Sequence, residues 1–243
     1  MRRRMRSRHG LRAAGAGSAV VVLAAMVSGC GASASGKDTD LVAGKQLFVQ
    51  KCGACHTLAR AGSKGTTGPN LDEAFSQSLK DGLGRSGIQG AIAEQIAHPR
   101  AGSAMPAGLV HGRDAQDVAA YVATSVAKPG KDTGLLATAI KPAGAGKPIA
   151  AKGGVLAIPT DPNGQLAYVT KKATATAGKV TVESKNASSI PHDIVIDGKG
   201  HGAVVTNGGV SKFTASFSPG TYTFYCSVDG HRQAGMQGQL VVK

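Results

Sequence analysis

The sequence predicts two domains of opposite class, an all-α domain followed by an all-β Greek-key sandwich. Three observations predict it. Small and apolar residues fall at three- and four-residue spacing at Leu41, Gly44, Leu47 and Phe48, and again at Val118, Tyr121, Val122 and Val126. Beyond Val155 the period drops to two, in Val180 and Val182, Ile194 and Ile196, Phe213, Ala215 and Phe217, Tyr222 and Phe224, and Leu240 and Val242. Between these halves lies a Gly-, Ala- and Lys-rich stretch with Pro129, Pro142 and Pro148 that follows neither period. A chain of 243 residues has room for two compact units plus export and linker segments.

The N-terminus opens with Arg2, Arg3, Arg4, Arg6, Arg8 and Arg12, continues as a small, apolar run from Ala13 to Val27, and reaches Val27-Ser28-Gly29-Cys30. This resembles a bacterial lipoprotein signal with its lipobox. The resemblance implies cleavage before Cys30 and lipidation of that cysteine, dividing the start into a signal at 1–29 and a spacer at 30–39. A plain secretory peptide and an uncleaved anchor are the alternatives, although the apolar run is short for a membrane span. The formal charge is +14, and with the six leader arginines set aside residues 30–243 carry 22 basic against 14 acidic groups, or +8. Such an excess suits acidic protein surfaces or anionic headgroups. Nucleic-acid binding is disfavoured, because there is no Trp and aromatics make up only 4%, too few for a stacking platform.

Residues 40–128 form the expected helical domain. A helix is expected from Asp40, and a second with Asp114 as N-cap and Pro129 as its stop. They should cross with Gly44 and Phe48 against Tyr121 and Val122, the glycine allowing close approach. After the first helix stands Cys52-Gly53-Ala54-Cys55-His56. Two thiols three apart can each add to a haem vinyl group, and His56 then lies under the iron as fifth ligand. A zinc site would need a second ligand pair, which is lacking, and no strand precedes the motif as in a dithiol oxidoreductase.

With Gly68-Pro69-Asn70-Leu71 and Met105-Pro106 added, Asp40 to Lys128 resembles a small class I cytochrome c. The resemblance implies one covalent haem c, a Pro69 carbonyl that orients the proximal imidazole, and Met105 as sixth iron ligand. His98 and His111 are the rivals for that position. His98, before Pro99, reads as a helix end, and His111 as a solvent-facing turn. Residues 129–154 read as a flexible linker, with an r.m.s. length of about 25 to 30 Å.

In 155–243, Asp161-Pro162-Asn163-Gly164, Asn207-Gly208-Gly209 and Ser218-Pro219-Gly220 punctuate short strands, as a sandwich requires. Near the end, Cys226, His231 and Met236 present thiolate, imidazole and thioether at intervals of five. A blue copper centre takes one Cys, two His and a weak axial group such as Met. His192, ahead of Asp193-Ile194-Val195-Ile196, supplies the second imidazole; His201 competes but sits in a Gly-rich loop. Pro191-His192 and the Cys-x4-His-x4-Met loop make this half similar to cupredoxins of the auracyanin and rusticyanin kind, with a longer loop than plastocyanin. That implies one type 1 copper. Asp193 stands where the family often has asparagine. One loop cysteine is too few for a binuclear site, and His98, His111 and His201 are too scattered for type 2 or trinuclear copper. Cys30, Cys52, Cys55 and Cys226 each have a task, so no disulfide is expected.

Together these readings describe an electron carrier without catalytic residues, lipid-anchored on the extracytoplasmic face of the bacterial membrane, relaying single electrons in a respiratory chain. Its expected partners are redox proteins such as a quinol-oxidising complex and a terminal oxidase or reductase. The alternatives are a donor domain or subunit of a terminal oxidase or nitrite reductase complex, and a copper storage or delivery protein.

Overall fold

The computed structural model describes residues 39–243, so the signal, Cys30 and nearly all of the spacer lie outside the described residues. The helical half runs α1 (Leu41–Lys51), a hairpin of β1 (Thr57–Leu58) and β2 (Ser63–Lys64), α2 (Leu71–Ala74), α3 (Ser76–Lys80), α4 (Arg85–Ala97), α5 (Gly112–Ser125) and α6 (Leu135–Thr138). Asp40 caps α1, its carboxylate accepting from the amides of Val42 and Ala43 at 2.8 and 3.0 Å. Helix α5 starts earlier than its sequence suggests: His111 is the N-cap, without a side-chain cap bond, and Asp114 falls in the first turn. The acid still faces the positive end of the helix dipole there.

The two helices cross where the spacing places them. A Cβ on Gly44 would lie 2.1 Å from the carbonyl oxygen of Asp117 and 3.0 Å from Cβ of Tyr121, so only glycine permits this approach. Phe48 and Tyr121 pack with ring centroids 6.3 Å apart, and both are buried with Val118 and Val122. Helix α4 is unannounced by any cap, yet Ile88, Ile92 and Ile96, four apart, are all buried. Arg85 at its start donates to the carbonyls of Ala123 and Val126 at 2.7 and 2.9 Å. It thereby satisfies acceptors that the end of α5 leaves open.

Residues 129–154 are largely exposed but pinned at both ends, to the helical half around Asp132 and to the sandwich from Ala145, where the sequence led to the expectation of a flexible linker. Asp132, with a side chain 3% exposed, lies 3.0 Å from Lys45 Nζ and 3.0 Å from Arg60 Nη1. Tyr121 also donates its hydroxyl to Asp132 at 2.9 Å. Burial pushes the Asp132 carboxyl up, but the hydrogen bonds from Lys45, Tyr121 and Arg60 outweigh it and hold the group below its ordinary value. Lys45 Nζ donates in addition to the Leu136 carbonyl at 2.7 Å, and Leu136 and Ile140 lean on the helical core. Past this anchor, Ala145 bridges to Thr170 and β3 (Ile149–Ala150) joins the sandwich. The packing residues are single and aperiodic, so a search for apolar periods passes over them.

The second half adds β4 (Val155–Ala157), β5 (Lys172–Ala175), β6 (Gly178–Lys185), β7 (Val195–Ile196), β8 (Gly200–His201), β9 (Val210–Phe217), β10 (Gly220–Tyr225) and β11 (Gln237–Val242). One sheet has the order β3-β5-β11-β10-β7-β8 and the other β4-β6-β9. Neighbours that are distant in sequence, such as β6 antiparallel to β9 and β5 parallel to β11, are the long crossovers of a Greek-key arrangement. Alternation buries Val180, Val182, Phe224, Leu240 and Val242, while in β9 Phe213 and Ala215 are only half-buried. Asp161 turns the chain after β4 by accepting from the Asn163 amide at 2.8 Å, and Gly164 follows with φ of +72°.

Candidate haem and copper sites

The helical half holds an open cavity of about 720 Å³, lined chiefly by Phe48, Ile92, Ile96, Val118 and Val122 together with Cys52, Cys55, His56 and Met105. Cavities of roughly 300 to 1,000 Å³ hold cofactor-sized ligands, and apolar walls with a few placed polar groups suit a porphyrin. Cys52 and Cys55 follow the end of α1 as free thiols. Burial, with the neighbouring Cys55 adding to it, pushes the Cys52 thiol up to about 12. His56 Nδ1 lies 3.0 Å from the carbonyl oxygen of Pro69. A carbonyl only accepts, so Nδ1 carries the proton and Nε2 is left as the metal-facing atom. Gly68 makes room for this ring: a Cβ there would lie 2.5 Å from Cε1 of His56.

Met105 is half-buried in the loop before α5, and Gln95 Nε2 on α4 lies 3.7 Å from its sulfur. The rivals are elsewhere. His98 is the C-cap of α4 and pairs with Glu94 at 3.0 Å, and His111 is an exposed N-cap. The residue set therefore fits haem c: two thiols, one imidazole of defined tautomer and one thioether share an apolar cavity.

In the sandwich, His192, Cys226 and His231 bring one ligating atom each to within 4.8 Å of one another, all three buried. Cys226 Sγ is 3.8 Å from Nδ1 of His192 and 3.4 Å from Nδ1 of His231. Local structure explains the convergence. His192 is held by a two-way backbone bridge to Val205, just before β7. Cys226 follows β10, and the loop returns to β11 through the bonds Met236 N to His231 O and Cys226 N to Met236 O, at 3.0 and 3.2 Å. Met236 is fully buried in the same core. His201 lies on β8, exposed, with Nδ1 3.2 Å from the Gly202 carbonyl, and is not part of the cluster.

The electrostatics suit a soft metal. Burial, reinforced by the facing His231, pulls His192 down to about 3, and burial also lowers His231. Both imidazoles are thus neutral donors near pH 7. Burial pushes the Cys226 thiol up to about 12, so metal must displace its proton. Asp193 does make the inter-loop link: its carboxylate accepts from Ser227 N at 2.7 Å and from Ser227 Oγ at 2.5 Å. Two imidazoles, one thiol and one thioether are the donor set of type 1 copper, and this set fits it. Gln95 and Ser227 gave no signal in the sequence, because each matters only through a partner from another element.

Residues 41–125 match the family model for cytochrome c, and residues 158–243 that for copper binding proteins of the plastocyanin/azurin family. The chain is a cytochrome c domain followed by a cupredoxin-like domain, two folds whose business is electron transfer, and its cofactors are haem c and type 1 copper. Among solved structures it is similar to auracyanin A, a blue copper protein from Chloroflexus aurantiacus, at 22% identity over 40% of this chain and 100% of that one, TM-score 0.33. Auracyanin from Roseiflexus castenholzii matches at 24% identity over 40% and 94%, TM-score 0.31. Reduced rusticyanin matches at 22% over 40% and 84%, TM-score 0.31.

Proposed function

We propose that this protein is a membrane-anchored, extracytoplasmic carrier that passes single electrons in a respiratory chain, between a quinol-oxidising complex and a terminal oxidase or reductase. The observation that carries the reading is the presence, in one chain, of two ligand sets suited to one-electron metals, one lining an apolar cavity and one buried in the sandwich. In this reading Cys52 and Cys55 hold haem covalently, His56 and Met105 ligate its iron, and His192, Cys226, His231 and Met236 ligate copper. Each metal supplies reversible one-electron chemistry when bound. The residues supply the rest: Pro69 holds the His56 tautomer, Asp193 holds the cysteine loop, and the apolar walls exclude water.

Anchoring belongs to Cys30 in this proposal, with the +8 charge of residues 30–243 assisting at anionic headgroups. Among the described residues no helix is long and apolar enough to cross a membrane.

The test is a visible spectrum and redox titration of the exported protein. Covalent haem on a denaturing gel, an intense thiolate-to-copper band and two one-electron steps are expected. Copper that binds without that band and exchanges freely would instead favour storage or delivery. Fractionation of Cys30→Ser checks the anchor: release into the soluble fraction is expected, and membrane retention in high salt would point to an uncleaved helix.

A further inference from the structure

We propose that the haem-attachment edge of the helical domain is a cover for the copper-ligand loops, so that the chain closes its own copper site and leaves outside redox proteins the helical domain to dock on. This rests on the reading of the two sites as haem and copper centres. Three stretches that flank the copper ligands all meet residues 49–69 of the helical half. Ile190, two residues before His192, lines the haem cavity with Cys55, His56 and Pro69. Gly230, next to His231, sits where a Cβ would be 3.4 Å from Thr66 Oγ1. Ala234 and Gly235, just before Met236, line a crevice of about 100 Å³ with Gly53, Ser63 and Lys64.

A fourth contact lies beside these. Gly164 turns its backbone onto the end of α1, where a Cβ would be 2.9 Å from the carbonyl oxygen of Gln50. The seam is built from small residues, and small residues let two backbones approach without a side chain to hold them apart. The ligand set beside this seam is buried, with His192 1%, Cys226 0%, His231 8% and Met236 0% exposed; Cys226 and Met236 lie in the sandwich's own core, so the seam bears on the histidine side of the site.

The connection between the halves keeps the seam closed. On one side Asp132, Leu136 and Ile140 are packed against the helical core, and on the other Ala145 is bridged to Thr170. Only Lys141 to Gly144 lie between these anchors, so Ile140 and Ala145 are at most about 18 Å apart even when the chain is extended. Gln165 Nε2 shortens it further by donating to the Lys141 carbonyl at 3.0 Å. A tether this short holds the two surfaces at high effective concentration, so a modest contact area suffices.

The proposal is tested on the full-length holoprotein with two variants placed on opposite sides of the seam, Thr66→Arg and Ala234→Arg. The readouts are amide hydrogen exchange of residues 228–235 and the rate at which bathocuproine disulfonate, a bulky chelator, removes reduced copper. Thr66→Arg touches no copper-domain residue by sequence, yet it is expected to speed both by about tenfold while the thiolate-to-copper band and haem spectrum persist. Ala234→Arg, at a half-buried position, should do the same even if the Thr66 substituent escapes into solvent. Wild-type rates in both variants would overturn the cover. A wild type lacking the copper band would sink the electron-carrier reading instead, and exchange at 228–235 would still decide the seam.

Discussion

Asp193, itself buried, holds Ser227 beside the copper ligands, accepting from its amide at 2.7 Å and from its hydroxyl at 2.5 Å. The two residues are the immediate successors of His192 and Cys226, so this pair ties one ligand strand to the other. Replacing the expected asparagine with a carboxylate keeps the tie and adds a negative charge near the thiolate. Asp193→Asn should therefore retain the copper band but raise the copper potential, since a nearby negative charge favours Cu(II). Voltammetry checks this. A potential unchanged or lowered would show that the charge is compensated elsewhere. Asp193→Ala should broaden or weaken the band by freeing the cysteine loop.

Proton release on copper binding follows from the buried site. With Cys226 pushed up to about 12 and His192 pulled down to about 3, the copper-free protein at pH 6 to 8 holds a thiol and a neutral His192. Binding should release one proton, from Cys226, per copper, measurable by calorimetry in buffers of different ionisation heat. A count near two at pH 6 would contradict the lowered histidine. The same depression makes the copper-free fold acid-sensitive. Below the unfolded pKa near 6.5 the unfolded chain binds a proton at His192 that the native chain refuses, so stability falls with falling pH. The slope is about 1.4 kcal/mol per pH unit for this group, levelling off near pH 3.

Asp132 should be a costly residue to remove. Its carboxylate sits between Lys45, Arg60 and Tyr121, and Asp132→Ala leaves Lys45, 7% exposed, without its counter-charge. Loss of one partner of a buried pair costs about 3 to 5 kcal/mol, read from urea unfolding of the haem-loaded protein. The pH dependence has a fixed sign as well. A carboxyl held below its ordinary value stabilises the fold above pH about 4, and that contribution disappears as the pH drops through the lowered native pKa. A loss below about 1 kcal/mol would mean that the segment at 129–136 is not anchored by this charge.

Gly68 offers a test of the proximal imidazole. Gly68→Ala puts a Cβ 2.5 Å from the His56 ring, which must tilt away from the Pro69 carbonyl. The haem should become partly high-spin, visible in the Soret region and by paramagnetic resonance. Gly90→Ala serves as the control: nothing lies within 4 Å of the added carbon on α4, and a gain of about 0.5 to 1 kcal/mol is expected. An unaltered spin state in Gly68→Ala would place the imidazole elsewhere in the holoprotein.

Much of the chemistry was legible in the sequence because it is local. Cys52, Cys55 and His56 lie within five residues, and Cys226, His231 and Met236 within one loop, so their donor types and spacing are properties of a short stretch of backbone. Periodicity likewise announced the crossing of α1 and α5 and the alternation of β6 and β11, since each element buries one face. Tertiary structure alone decided the rest. Helix α4 has three isoleucines but no cap to mark its ends, and the segment around Asp132 packs through single residues that form no period. The bonds from Asp193 to Ser227, Gln95 to Met105 and Lys45 to Asp132, like the seam between Gly230 and Thr66, join residues from different elements. Such pairings carry no spacing rule along the chain, because their geometry exists only after both cores have packed.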